Sequence, residues 1–312
     1  MKRFLLALPL AALGAAWFWF LILPWPVPLR WRDPGRTAFM EQRQAEARAA
    51  GDSLGIRHSW KPLSAISERL QRAVIIAEDG RFYKHAGVDW AAVGEELDYT
   101  GDGDFSPLSP ADLGHTARAL RYYLEHRAEI RGRSTITQQL AKNLYFSADR
   151  SLLRKVKELL VAKRLERFLS KDRILEIYLN VAEWGPGIFG AEAAAQHYFG
   201  RSAADLTMDQ AAALAATLPH PLSSNPARNP GRMAWRKNLI LRQLGSGGPP
   251  ETVPLAPPEV LGTEVDVPDL DTRPEPPPEV LPPPRDSAAD TLAPPPPSSP
   301  PDTASPPDTL RG

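Results

Sequence analysis

Three short stretches of this chain carry side chains suited to chemistry. Glu78 closes an apolar run, Ala73-Val-Ile-Ile-Ala77, and is followed by Asp79, Phe82 and His85. A carboxylate where an apolar helix meets a cleft is partly desolvated, which favours its protonated form and suits it to general acid or base work. Capping and ion pairing are the commoner fates of a Glu, so spacing alone does not decide. Ser134-Thr-Ile-Thr-Gln-Gln139 follows Arg131-Gly-Arg133 and gathers hydroxyls and amides at the start of an expected helix running to Lys142. Ser134 is the expected cap. Exposed N–H groups at such an end, with a Lys nearby, suit an anion such as a phosphate, although an ordinary capped helix reads the same way. In Arg154-Lys155-x-x-Glu158, Arg154 and Glu158 are one helical turn apart and share a face. They line a groove or form a surface pair of little worth. Lys163, Arg164 and Glu166 form a similar set close by, so the pattern is not specific by itself.

The elements that must position these groups are mostly helical. Apolar residues recur at helical spacing as Leu70, Val74 and Ala77, then Leu152, Val156, Leu159 and Leu160, then Ile174, Ile177 and Tyr178, then Ala211 to Leu218. No sustained alternation is present, so the body is read as mainly α. Thr100-Gly-Asp-Gly-Asp-Phe-Ser-Pro-Leu-Ser-Pro110 interrupts it as a loop.

The two ends differ from the body. Phe4 to Leu23 holds no charge and follows Lys2 and Arg3. Twenty residues span roughly 30 Å as a helix, about one hydrocarbon thickness. Trp17, Trp19 and Trp25 sit toward its far end, where indoles favour the membrane interface. Ala11-Ala12 and Ala15-Ala16 offer small residues for signal cleavage, but the apolar run continues past them, which favours an uncleaved anchor. Pro24, Pro26 and Pro28 end the helix, and a polar stretch from Arg36 to Gly55 reads as a stalk. From Pro249 to Gly312 stand 21 of the 34 prolines. That tail holds 12 acidic and 3 basic residues of 37 each, leaving the body 34 basic and 25 acidic. The tail is too poor in apolar side chains to offset chain entropy and is expected to be disordered. A basic body favours an anionic partner: a lipid surface, a phosphate or a nucleic acid. The chain has no Cys, which excludes disulfide frameworks, Cys-zinc sites, iron–sulfur ligation and a Cys nucleophile.

Taken in order, the stretches resemble the bacterial peptidoglycan glycosyltransferases, family 51 of the glycosyltransferases, and within it the monofunctional biosynthetic transglycosylases. Ala77-Glu-Asp-Gly-Arg-Phe-Tyr-Lys-His85 is similar to the first family motif, and Gly132-Arg-Ser-Thr-Ile-Thr-Gln-Gln-Leu-Ala-Lys-Asn143 to the second. Arg154-Lys155-x-x-Glu158 is similar to the third. Lys171-Asp-Arg-Ile-Leu-Glu-Ile-Tyr-Leu-Asn180, with Gly185, Gly187 and Gly190, resembles the fourth, and Asp209-Gln-Ala-Ala-Ala-Leu-Ala-Ala-Thr-Leu-Pro219 the fifth. His58-Ser-Trp60 and the short anchor fit the monofunctional members. Arg133 stands where the family has a small residue and Gln210 where it has Glu. The interval between Glu78 and Ser134 is long, with an insertion around Gly101 to Glu129.

The resemblance implies a lysozyme-like, mainly α glycosyltransferase head with a smaller membrane-facing jaw, one N-terminal transmembrane helix and the disordered tail. The implied boundaries are a cytoplasmic 1–3, an anchor at 4–23, a stalk at 24–57, the catalytic domain at 58–245 and the tail at 246–312. It implies polymerisation of lipid II into glycan strands, with Glu78 as general base and Glu158 as the second carboxylate. Glu158 would orient cations, bind metal or position substrate. Ser134, Thr135, Gln139 and Asn143 would line the donor groove, and Lys142, Arg154 and Lys155 would give countercharge to the departing pyrophosphate. Asp79, Phe82 and His85 would form the substrate-binding shell around the base. Mg2+ or Mn2+ at Glu158 is a further expectation, without an organic cofactor. The implied partners are lipid II, the growing strand, membrane lipids and other cell-wall synthesis or division proteins, with no nucleic acid. The implied location is the bacterial inner membrane, single-pass, with the catalytic domain periplasmic. A lysozyme-like lytic glycosidase and a membrane scaffold acting through the tail are the alternatives. A bifunctional penicillin-binding protein is excluded, because neither Ser-x-x-Lys nor Lys-Thr-Gly occurs.

Overall fold

The computed structural model describes residues 14, 21–96, 134–146, 151–247 and 253. Within them the chain is mainly helical, with α1 (Ala38–Ala49), α2 (Glu68–Glu78), α3 (Trp90–Glu96), α4 (Ile136–Tyr145), α5 (Leu152–Phe168), α6 (Lys171–Val181), α7 (Ala191–Phe199), α8 (Met208–Thr217) and α9 (Pro230–Ser246). Most of the expected anchor at 4–23, the loop Thr100 to Pro110, the insertion Gly101 to Glu129, Arg133 and most of the tail lie outside the described residues. Among the described residues no helix is long and apolar enough to cross a membrane.

Local chemistry explains the helix starts. Ser67 accepts the Leu70 N–H at 3.2 Å and starts α2. The chain then buries Leu70, Val74 and Ile76 completely, each removal from water worth about 1.5–3 kcal/mol. Thr207 and Gln210 close a capping box at α8, so the Gln that departs from the family pattern works as a cap. α8 is buried from Ala211 to Thr217 and packs against α2 and α9. Its alanines let the neighbouring helices approach closely, and this brings the ends of α2 and α9 together.

The structure adds a small sheet that periodicity did not reveal. β1 (Arg57–His58) pairs parallel with β3 (Ile188–Phe189), and β3 pairs antiparallel with β2 (Glu183–Gly185). Strands of two or three residues are too short to display an alternation, and β2 and β3 are buried throughout. Gly190 follows at φ +86°, and a Cβ there would stand 2.7 Å from the Asn180 carbonyl oxygen. Only Gly suits both that conformation and that approach. The Asn180 side chain clamps the Lys61 backbone, accepting its N–H and donating to its carbonyl, both at 2.8 Å. His58 contacts the Asn180 carbonyl at 3.1 Å. The His58-Ser-Trp60 segment is thereby fastened to the end of α6.

The segments before α2 also lie against the helical body. Arg164 of α5 donates to the carbonyls of Leu23 and Pro24 at 2.6 and 3.1 Å, with its guanidinium 4.2 Å from the Trp25 ring centre. Arg173 of α6 donates to the Leu29 and Arg32 carbonyls and pairs with Asp33. α1 buries Met40, and its Phe39 ring meets Phe189 edge-on.

Candidate active site

Glu78 is the last residue of α2, and its carboxylate is 9% exposed. Oε1 accepts from Arg236 of α9 at 3.0 Å, and Oε2 accepts from the Gln139 amide of α4 at 2.9 Å. Tyr178 of α6 in turn donates to Gln139 Oε1 at 2.9 Å, which fixes the orientation of the amide. The carboxylate expected to be partly desolvated is thus largely buried and held by one cation and one amide. Arg236 was not among the residues that sequence reasoning singled out. The signal for it exists: Met233, Arg236, Ile240 and Leu244 are the buried face of α9, so an Arg occupies a core position of an apolar stripe, where an unpaired charge is not tolerated.

The next residue ties the end of α2 to α4. Asp79 accepts the Ile136 N–H at 3.0 Å, at the first turn of that helix, and receives His85 Nε2 at 2.9 Å. The Gly87 N–H points at His85 Nδ1 at 3.2 Å, which makes Nδ1 the acceptor and leaves the Nε2 proton for Asp79. A carboxylate at a helix N-terminus gains from the helix dipole as well as from the bond. Phe82 is fully buried under the Lys171 ammonium, 4.3 Å from its ring centre. Asp79, Phe82 and His85 thus fix the turn that follows Glu78, the Phe82 N–H donating to the Asp79 carbonyl at 2.9 Å.

Thr135, and not Ser134, caps α4: it accepts the Gln138 N–H at 3.2 Å in a capping box and donates to the Gly87 carbonyl. The helix runs to Tyr145, past the expected end at Lys142. Ser134 is free of the capping role, and its hydroxyl accepts from Lys155 Nζ at 2.7 Å. Its carbonyl accepts from the Gln139 amide at 3.2 Å. Lys155 also reaches Glu158 at 3.4 Å, and Arg154 pairs with the other Glu158 oxygen. The Glu158 side chain is 3% exposed and that of Lys155 49%, so a buried carboxylate holds two cationic heads at the edge of the site. An unbroken path of polar contacts therefore runs from Glu78 through Gln139, Ser134 and Lys155 to Glu158. The Lys142 ammonium stands 5.6 Å from the Phe39 ring centre, and Asn143 is buried in α4.

The described donors do not fit a preformed Mg2+ or Mn2+ site. Such ions want several free oxygen ligands. Both Glu158 oxygens carry cations. Asp79, His85 and Asp89 place one ligand atom each within 4.8 Å of one another. Yet Asp79 and His85 bond each other, and Asp89 holds Arg81 at 2.8 Å.

A separate carboxylate has a pH consequence. Burial pushes Glu183 of β2 up to about 7, against the pull of the Arg43 guanidinium that donates to its Oε2 at 2.9 Å. From the ordinary 4.5 upward, the unfolded chain has released a proton that the folded chain keeps. Stability must then fall as pH rises from 4.5 to about 7 and level off above it. The expected loss is on the order of 3 kcal/mol. Glu183→Gln should remove this slope. Thermal melting of both proteins between pH 5 and 8 tests it, and parallel curves would refute it.

Comparison with known proteins now bears on this geometry. Residues 49–99 and 99–245 match the transglycosylase family. A protein of Janthinobacterium sp. is 41% identical over 233 residues, covering 75% of this chain and 90% of its own. One of Bordetella pertussis is 41% identical over 235 residues, covering 75% and 88%. One of Pseudomonas putida is 39% identical over 243 residues, covering 77% and 93%. Each is named a biosynthetic peptidoglycan transglycosylase.

Proposed function

The chain belongs to the transglycosylase family and is a peptidoglycan glycosyltransferase, and from that premise we propose that it polymerises lipid II with Glu78 as general base. The observation that carries the reading is the polar path joining Glu78 to Arg154, Lys155 and Glu158. A base and a set of cations held on one framework is what glycosyl transfer to a hydroxyl requires.

The steps follow from that arrangement. A sugar hydroxyl is a poor nucleophile at neutral pH, and a positioned base gains roughly 10²–10⁴ in rate. Glu78 takes the hydroxyl proton as the oxygen bonds to the anomeric carbon of the donor. The bond from that carbon to the diphosphate oxygen breaks on the opposite face, so the configuration inverts. Lipid-linked diphosphate leaves with the electron pair and gains one negative charge. Arg154 and Lys155 receive that charge, and the proton on Glu78 passes to water before the next cycle. Arg236 and Gln139 fix the direction of the carboxylate; Asp79 and His85 fix the turn that carries it. Glu158 acts by orienting the two cations.

The relatives favour transfer over hydrolysis, since each is named a biosynthetic transglycosylase. Each CH₂ of the substrate's lipid costs ~0.8 kcal/mol to withdraw from a bilayer, so the enzyme has to work at the membrane. The uncharged run 4–23 is the single-pass anchor of this reading, with Lys2 and Arg3 cytoplasmic and the catalytic head, lysozyme-like with its jaw, outside the inner membrane. The Arg164 and Arg173 contacts to residues 23–33 support it, because they hold the chain leaving the anchor against α5 and α6. Incubating the purified full-length protein with lipid II tests the proposal. It should yield glycan polymer and lipid diphosphate. Reducing-end sugars without polymer would replace it with the hydrolase reading.

A further inference from the structure

We infer that Val253, in the first residues of the Pro-rich tail, is a positioning residue for Glu78, acting through Arg236 and the last turn of α2. The inference rests on the reading of Glu78 as the base. The last carbonyls of any helix lack intrahelical partners and must be satisfied from outside. In α2 the Ile75 carbonyl accepts the Asp79 N–H at 2.8 Å. The Ile76 carbonyl accepts the Val253 N–H at 3.0 Å. The Ala77 carbonyl accepts from Arg236 Nη2, the same nitrogen that reaches Glu78 Oε1. Arg236 Nη1 then points at the Val253 carbonyl at 3.4 Å. Val253 thus uses its N–H on the turn that carries the base and its carbonyl on the cation that holds the base.

Val253 is placed to do this firmly. It is 1% exposed and belongs to the same apolar core as Ile76 and Ala77. Pro254 follows it in sequence, and a residue before proline is biased toward extended backbone, which presents N–H and carbonyl sideways. It lies beyond the catalytic domain as the sequence divides the chain, and beyond residue 245, where the family match ends. The start of the tail is by this account part of the catalytic framework.

The test uses the full-length protein and lipid II, with kcat and KM as readouts. Val253→Pro removes the N–H and should lower kcat about tenfold, since small misplacements at a reacting centre carry large rate costs. KM should change less than twofold. Val253→Thr, which keeps shape and both backbone bonds, should restore kcat to within about twofold of the parent. Circular dichroism at the assay temperature confirms that each variant is folded. If Val253→Pro does not fold, Val253→Ala decides: it keeps both backbone bonds but empties the apolar seat that fixes them, and a kcat loss of about threefold with little change in KM is expected. Parental kcat in a folded Val253→Pro, or in Val253→Ala where that variant decides, would overturn the inference. Glu78→Gln measured beside them separates the two claims. An inactive Glu78→Gln with an unaffected Val253 variant removes only the role of Val253. A near-normal Glu78→Gln removes the base itself.

Discussion

Glu78→Gln should lower lipid II turnover at least a hundredfold while the protein stays folded. The amide has the shape of the carboxylate but cannot accept the hydroxyl proton, and the loss is that of a positioned base, roughly 10²–10⁴. The surroundings set a second expectation. Arg236 keeps the Ala77 and Val253 carbonyls when the charge on residue 78 is gone, so the α2–α9 contact persists. One side-chain pairing is nevertheless spoiled, because the Gln139 amide donates to Glu78 Oε2 while its oxygen is held by Tyr178. It cannot flip to suit an amide at 78 without losing the Ser134 carbonyl, to which the same Gln139 nitrogen donates, and a buried group left unmade costs about 1–3 kcal/mol. A lowered melting temperature with intact far-ultraviolet dichroism is the expected companion of the lost turnover. Near-normal turnover would remove the assignment, whatever the melting temperature does.

The parts of this molecule that sequence reasoning reached are those with local causes. The apolar spacing of Leu70, Val74 and Ala77 acts within one helix, and that helix appears where the spacing puts it. Of the motif residues, Glu78, Gln139, Ser134, Lys155 and Glu158 share one run of polar contacts, and Asp79 and His85 form a second at the first turn of α4. What escaped has causes distant in the chain. Ser134 and Thr135 are both good caps, and which of them caps is decided by Gly87, 48 residues away, whose carbonyl engages the Thr135 hydroxyl. Arg236 stands 158 residues from the carboxylate it pairs with. The stretch read as a stalk contains Arg43, which meets Glu183 across 140 residues. In each case a polar group is satisfied by a partner that only the packed core brings near, and periodicity carries no information about it.

The same network makes Lys155→Ala the second large expectation. Lys155 is the half-exposed member of the group: its ammonium touches Ser134 Oγ and the buried Glu158. If it were only a surface pair, its loss would cost stability of about 0–1 kcal/mol and leave catalysis alone. If it receives the charge of the departing diphosphate, removing one preorganised donor should cost about 10²–10³ in kcat. The interaction exists mainly once the bond to carbon is breaking, so KM should move far less than kcat. Lys155→Arg keeps the charge but replaces a compact ammonium with a planar fork, and should recover part of the rate. Glu158→Gln should fall between them, since it frees the cations it orients without removing them. Raising ionic strength should not mimic Lys155→Ala, because close, partly buried charges are screened far less than exposed ones. A Lys155→Ala enzyme with parental kcat and raised KM would show that the ammonium binds the donor without acting on the leaving charge. The countercharge would then fall to Arg154 and to Lys142, the other cations that the resemblance assigns to it.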